Sequence, residues 1–422
     1  MHRPGVYSEA GKLRTVLMHR PGRALERLTP ANREHLLFDD LVWVERAQSE
    51  HDAFTAALRA RGVEVLEVEQ LLAETLETSD EARSAVINGA VSTFTVGLSL
   101  VEELRTYLTQ LPSTRLAELL ISGLLVSELD GVDHDALRRR SLGAVLAEPD
   151  EFVLPPLPNS IFTRDSSAWL YAGVVLPPLF RSARRLEVVN LSVIYRHHPA
   201  FAAADFEFWY PPEGDATRFA VEDFSHGVSL EGGDVMPIGR RTVLVGLGER
   251  STGRMVEHLA RSLFEAEAAD RIIVCRMVQE RAYMHLDTVF NFVDGDAVTL
   301  FPPVVDAMRV YSIRRGGRDT LFDITEEEGL LSAVADALGL SKLRVVPTSG
   351  DSFQSAREQW DDANNVVAIE PGVVVAYTKN THTNRALRDA GIEVIEIEGS
   401  ELGKGRGGCH CMTCPVARDP IE

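Results

Sequence analysis

Apolar and polar positions fall into a pattern that recurs along the chain. Residues 162–165 (FTRD) lead into the apolar stretch 168–176. Residues 231–234 (EGGD) lead into 235–238, a turn, and 242–246. Residues 285–287 (HLD) lead into 288–293, a turn, and 297–301; residues 361–365 (DDANN) lead into 366–369, a Pro-Gly turn, and 373–377. Each is a polar or acidic entry followed by strand-length apolar runs around a turn, which predicts a β-hairpin. A stretch of helical spacing follows each hairpin, at 184–197, 252–268, 326–338 and 384–390. A closing strand follows each helix, at 206–209, 271–275, 342–346 and 393–397. The N-terminal segment supplies a fifth unit. It has a strand at 12–18, an amphipathic helix over 43–61 with Val44, Ala47, Phe54, Ala57 and Leu58 apolar, a stop at Gly62, and an alternating strand at 63–68. Five similar units predict radial repetition about an axis, with equivalent ends converging on one face. The converging residues are Asp165, Glu231, Asp234, His285, Asp287 and the acidic group near Asp361. In His285-x-Asp287 a strand would point both side chains to one face.

Residues 71–151 break the pattern. Leucine-rich segments at helical spacing, such as 100–111 and 115–125, occur there without a convincing alternating strand. Asp133-His134-Asp135 and Ser141 have the character of helix starts. The expected organisation is an α/β domain formed by residues 1–70 and 152–422, interrupted by a helical insertion at 71–151.

Charge narrows the possible partners. The 422 residues carry a formal net charge of -20, which excludes nucleic acid and anionic membrane as main partners because both require a basic surface. A cationic small molecule is compatible with it. Four cysteines with no disulfide-like spacing suit a reducing compartment. Met1-His2-Arg3-Pro4-Gly5 lacks the apolar core of a signal peptide, and no run approaches the roughly 18 apolar residues of a membrane span. A cytoplasmic location is expected.

Three of the cysteines, Cys409, Cys411 and Cys414, lie in the glycine-rich stretch 403–414. Arg406 and His410 beside them could hold a thiol partly as thiolate, the reactive form. Two readings compete: a zinc-stabilised loop using Cys409, His410, Cys411 and Cys414, or a nucleophilic cysteine whose partners lie elsewhere in the sequence. No second half of a zinc site exists, since the remaining cysteine is Cys275. The converging acids are too many for a Cys-His-Asp acyl-transfer triad. Surplus carboxylates suit a guanidinium, which is planar, permanently charged and rich in N–H donors. A thiolate above the guanidinium carbon could attack it, and the substrate's positive charge would favour that thiolate.

At these residues the sequence resembles the arginine deiminases of the guanidine-modifying (pentein) superfamily. The matching blocks are 159–165 (NSIFTRD), 231–235 (EGGDV), 285–290 (HLDTVF) and 406–412 (RGGCHCM), with 9–21 and the run from 38–40 (FDD) to 50–52 (EHD). The resemblance runs through the chain in order. It implies a fivefold pseudo-symmetric α/β propeller and hydrolysis of L-arginine to citrulline and ammonia, with no cofactor and no metal. Cys411 is then the nucleophile and His285 the general acid and later base, oriented by Glu231. Asp165 and Asp287 clamp the guanidinium. Arg184 and Arg250 hold the substrate carboxylate, Asn159 and Phe162 line the amino-acid end, and Arg406 is a mobile gate. A homo-oligomer, dimer or tetramer, is expected. Hydrolysis of agmatine or dimethylarginine, and amidino transfer, are alternatives within the same chemistry. Cys409 departs from the family, where Gly or Pro is usual. Replacing it (Cys409→Ser) should preserve activity and increase resistance to peroxide; equal inactivation of both proteins would count against a redox role for this thiol.

Overall fold

In the computed structural model, which describes residues 1–211 and 227–421, the predicted hairpins form five sheets with a shared strand order. In each, an antiparallel pair is extended by a third strand parallel to the second. The clearest case is Val367–Glu370 against Val373–Tyr377, with Glu393–Ile397 returning parallel after the helix Thr381–Asp389. The same order joins Ala168–Leu170, Gly173–Val175 and Glu207–Tyr210. It recurs in Phe290–Phe292, Ala297–Leu300 and Arg344–Pro347. The first sheet is closed by both ends of the chain: Cys414–Arg418 pairs antiparallel with Leu13–Met18, and Glu64–Glu67 lies parallel beside it. The intervening helix Val44–Ala60 buries Ala47, Phe54 and Leu58, the stripe its 3.6-residue period marks.

One sheet is larger than the sequence pattern suggests. Val235–Gly239, Thr242–Leu247 and Arg271–Arg276 carry the expected core. A further hairpin, Arg309–Arg315 with Phe322–Glu327, extends it. The helix expected over 326–338 therefore begins only at Leu330. Glu326 and Glu327 belong to an edge strand, where Arg309 (3.0 Å) and Arg271 (2.9 Å) take their carboxylates. Cross-strand ion pairing outweighs the helix-start character of the acidic run.

The segment 71–151 is helical as expected, but its first helix, Val68–Thr78, starts three residues earlier. Asp133 and Ser141 are N-caps, accepting from the amides of Ala136 and Ala144. Leu124–Leu125 pairs with Phe152–Leu154, a short ribbon that the leucine pattern concealed. The helices do not own a separate core. Leu72, Leu76, Leu108, Leu116 and Leu120 share one apolar cluster with Val188, Leu191 and Ile194 of the helix Arg185–His197 and with Trp169 and Val174 of a sheet. No helix among the described residues is long and apolar enough to cross a membrane.

Two buried histidines bear on stability. Among the described residues, neither ring nitrogen of His51 has a hydrogen-bond partner, and His19 lacks one at Nδ1. Burial depresses His19 to about 4, and burial together with repulsion from His19 depresses His51 to about 3. The native state thus binds these protons more weakly than the unfolded chain, whose histidines titrate near 6.5. The stability they allow is complete above about pH 6.5 and declines as the pH falls toward 4, by about 2 kcal/mol per ring at pH 5. In urea unfolding at about pH 7.5 and about pH 5, His51→Leu should lose about 2 kcal/mol less on acidification than the wild-type chain. Identical losses would show that His51 does not set the acid limit.

Candidate active site

Each site residue stands at the entry to the first strand of a hairpin. Asp165 lies on the short helix Thr163–Ser166, ahead of Ala168–Leu170. Glu231 precedes the 3-10 turn Gly232–Asp234, and His285 precedes the turn Leu286–Thr288 that carries Asp287. Cys411 precedes Cys414–Arg418. The expected strand alternation at His285-x-Asp287 is absent. The Leu286 amide donates to Asp234 Oδ1 (2.8 Å) and the Thr288 hydroxyl to the His285 carbonyl (2.7 Å), which bends the segment into a turn. Asp234 is accordingly a strut, also accepting from the Ser251 hydroxyl at 2.5 Å.

Those turns bring the acids together around His285. Its Nε2 lies 2.7 Å from Glu231 Oε2, and its Nδ1 lies 3.6 Å from Asp165 Oδ1. Burial alone would lower the His285 pKa, but the charges of Asp165 and Glu231 outweigh it and raise it to about 10. Glu231 shows the converse: burial would raise it, while Arg250 and His285 bring it down to about 2. His285 is therefore an imidazolium held between carboxylates at neutral pH. Cys411 Sγ lies 3.5 Å from Asp287 Oδ2. Burial, with Asp287 and Asp165 next to it, pushes the Cys411 thiol well above its usual range.

Beside the thiol and the imidazole, buried polar atoms are left over. Asp287 Oδ1 and His285 Nδ1 have no hydrogen-bond partner among the described residues. A buried unsatisfied polar group costs about 1–3 kcal/mol, so the site is built for a ligand that supplies what is missing. Donors offered by a cation would satisfy Asp287.

Arg184 lines the same cavity as Arg250 and is tied to acids there. Its Nη1 bonds Asp165 Oδ2 at 2.6 Å, and Nε and Nη2 hold Glu187. Its Nη2 also donates to the carbonyls of Asn159 and Phe162. Arg184 thus fixes the acid end of the site. Arg250 faces Glu231 at 3.4 Å, and its Nε lies 3.4 Å from Glu249 Oε1 without a hydrogen bond among the described residues. Asn159 donates from Nδ2 to the Leu36 carbonyl (2.7 Å), and Phe162 stacks near Phe38.

Asp165, His285 and Cys411 open on a cavity of about 20 Å³, whose other walls include Arg184, Arg250, Arg281 and Arg406 and the apolar Leu37, Phe162 and Met284. Arg250, Arg281 and Arg406 give this cavity a basic rim. Arg281, Leu37 and Met284 were not anticipated, because nothing in their local spacing separates them from ordinary surface or core residues. Arg281 binds Asp39 Oδ1 at 2.7 Å, and Arg406 lies over the Trp360 ring at 3.5 Å while donating to the Trp360 carbonyl. Leu37 and Arg406 both have left-handed backbone, at φ 68 and 64.

The zinc reading gains nothing from this geometry. Among the described residues, the group whose ligand-type atoms converge is Asp165, Glu231 and His285, not the cysteine loop. Cys409 packs into an apolar cluster with Met412, and burial together with Asp362 keeps it a thiol. That lowers the oxidant protection to be expected from Cys409→Ser.

The crowding around His285 leaves room only for glycine at 233. A Cβ there would lie 2.8 Å from His285 Nδ1 and 3.1 Å from Asp165 Oδ1. Gly233→Ala should leave the far-ultraviolet circular dichroism unchanged and lower turnover about a hundredfold by displacing the imidazole. Wild-type turnover in a folded Gly233→Ala protein would mean that His285 does not act from this position.

Comparison with known proteins accords with the site. The family model described as arginine deiminase matches residues 34–418. An arginine deiminase of Rhodococcus opacus (strain B4) is 46% identical over 417 residues, covering 99% of this chain and 98% of that protein. An arginine deiminase of Mycobacterium avium (strain 104) is 46% identical over 417 residues with the same coverage of each. Among solved structures, an amidinotransferase of the saxitoxin biosynthetic pathway from Microseira wollei superposes with a TM-score of 0.58 at 14% identity, covering 99% of this chain and 98% of its own. The inosamine-phosphate amidinotransferase of Streptomyces griseus gives 0.52 at 13% identity, covering 99% and 97%. The chain is mixed α/β and has the fold of these amidinotransferases.

Proposed function

The chain belongs to the arginine deiminase family, and on that premise we propose that it hydrolyses L-arginine to L-citrulline and ammonia through a covalent amidino-thioether on Cys411. The observation that carries this reading is the unsatisfied Asp287 Oδ1 beside a thiol that burial and carboxylates keep protonated. A guanidinium supplies donors to the one and a positive charge to the other. The three-carbon stem would run past Phe162, Leu37 and Met284, and the α-carboxylate would meet the basic rim at Arg250, Arg281 and Arg406. Arg184 acts in this scheme by fixing Asp165, not by holding the carboxylate. Asn159 supports the wall at the amino-acid end through its bond to Leu36. The cavity of about 20 Å³ requires the loops carrying Leu37 and Arg406 to yield on entry, which gives Arg406 the gating role.

The chemistry then proceeds in two halves. With the guanidinium clamped by Asp165 and Asp287, its charge lets Cys411 release its proton to solvent, and the resulting thiolate adds to the central carbon. His285, charged between Asp165 and Glu231, passes its proton to the departing ammonia. An amidino-thioether remains. The imidazole, now neutral, takes a proton from water, and the hydroxide adds to the same carbon. Collapse of that adduct releases citrulline and the thiol. The reading also takes the five sheets as the units of a fivefold α/β propeller with residues 71–151 inserted as a helical domain, in a cytoplasmic homo-oligomer.

The deciding assay is release of citrulline and ammonia from L-arginine with a chelator present. The wild-type chain should produce both in equal amounts, and Cys411→Ser should fall by about a thousandfold or more. A reduced wild-type protein that is silent toward arginine but active on agmatine or another guanidine would replace this substrate.

A further inference from the structure

Four of the five hairpins contribute an entry residue that the mechanism uses: Cys411, Asp165, Glu231 and the pair His285 and Asp287. The fifth, which begins at Val367–Glu370, contributes Asn365 at the equivalent place. Asn365 is buried, and the nucleophile loop is wrapped around it. Its side-chain Oδ1 accepts from the amides of Gly408 (3.1 Å) and Cys411 (2.9 Å). Its backbone carbonyl accepts from the amide of His410 (3.1 Å). Its Nδ2 donates to the carbonyl of Asp287 at 3.0 Å. The fit leaves no space for a side chain on the loop: a Cβ at Gly408 would lie 2.8 Å from the Asn365 carbonyl oxygen and 2.9 Å from its Oδ1.

One carboxamide thus joins the backbone of the nucleophile to the backbone of the acid beside it. A carboxamide suits this because it offers an acceptor on one side and a donor on the other. We propose that Asn365 is a positioning residue for the Cys411 thiolate, fixing the loop 408–411 against the Asp287 turn and presenting a neutral amide beside a sulfur flanked by carboxylates. Burial and the carboxylates of Asp287, Asp165 and Asp362 oppose ionisation of Cys411, and the Asn365 side chain acts in the other direction. This rests on Cys411 being the nucleophile of the proposed reaction.

Asn365→Asp tests it. The aspartate keeps the shape and both acceptors. It loses the donor toward Asp287 and, once ionised, adds a charge near the sulfur. The folded variant should show turnover at least tenfold below wild type at neutral pH, with KM for arginine changed by less than threefold. The deficit should shrink as pH falls and the new carboxyl becomes protonated, since a protonated carboxyl can again donate. Independently of turnover, alkylation of Cys411 by iodoacetamide should shift to higher pH in the variant. Asn365→Ala, which removes the side-chain acceptor and the donor together, should show the alkylation shift without the recovery at low pH. An alkylation profile identical to wild type in either folded variant overturns the proposal, and failure of both variants to fold assigns Asn365 to stability alone. A wild-type chain that releases no citrulline while its Cys411 still alkylates would fault the functional reading instead.

Discussion

The rest of the structure depends on the ion pair between His285 and Glu231, 2.7 Å apart and wholly buried. Two opposite charges in a protein interior are tolerated only where further partners satisfy them. Here those partners are Asp165 on the far side of the ring and Arg250 and Arg184 around the glutamate. Arg184 in turn requires Glu187, and Glu187 accepts from the Ser166 hydroxyl at 2.8 Å. Each charge draws in another, and the chain ends only at backbone carbonyls and hydroxyls. The turns before the strands are where such groups can meet, because a strand interior would commit the backbone to its ladder and leave the side chains no common point.

This explains which parts of the site were legible in the sequence. Asp165, Glu231, His285 and Asp287 lie at equivalent places in a repeated pattern, so their convergence follows from the pattern, whereas Cys411 stood out only through its glycine-rich loop. Their resemblance to family blocks added the roles. The pairing of charges was not legible. Arg184 looked free to take a substrate carboxylate, and only the fold shows Glu187 one helical turn away and Asp165 across the entry turn. Asn365 was visible as part of an acidic entry yet gave no chemical signal, since a carboxamide has no charge to attract notice. Its equivalence to the other entries was the available clue.

The fold shows the same division. The hairpin–helix–strand order came through because it rests on local period and turn residues. The edge hairpin Arg309–Arg315 with Phe322–Glu327 did not, because its glutamates are settled by Arg309 and by Arg271 on another strand. The helical segment was visible as leucines at helical spacing. Its dependence on Val188, Leu191 and Ile194 was not, because amphipathic stripes do not state what they pack against.

The electrostatics also bear on how the two ends of the cavity must work together. Carboxylates that favour a guanidinium disfavour a thiolate, so the acids suited to the proposed substrate also hold Cys411 as a thiol in its absence. The conflict resolves only when the substrate's positive charge lies between sulfur and carboxylates. A site so arranged gains little from a strong thiolate in the free protein, which would meet oxidants and other electrophiles first. It gains more from holding substrate and sulfur in a closed, dry space, where charge compensation is strongest. The small cavity and the loops tied down through Asp39 and Trp360 suit that condition. Reactivity is therefore a property of the occupied site, and the acids that seem excessive around a cysteine are what make it so.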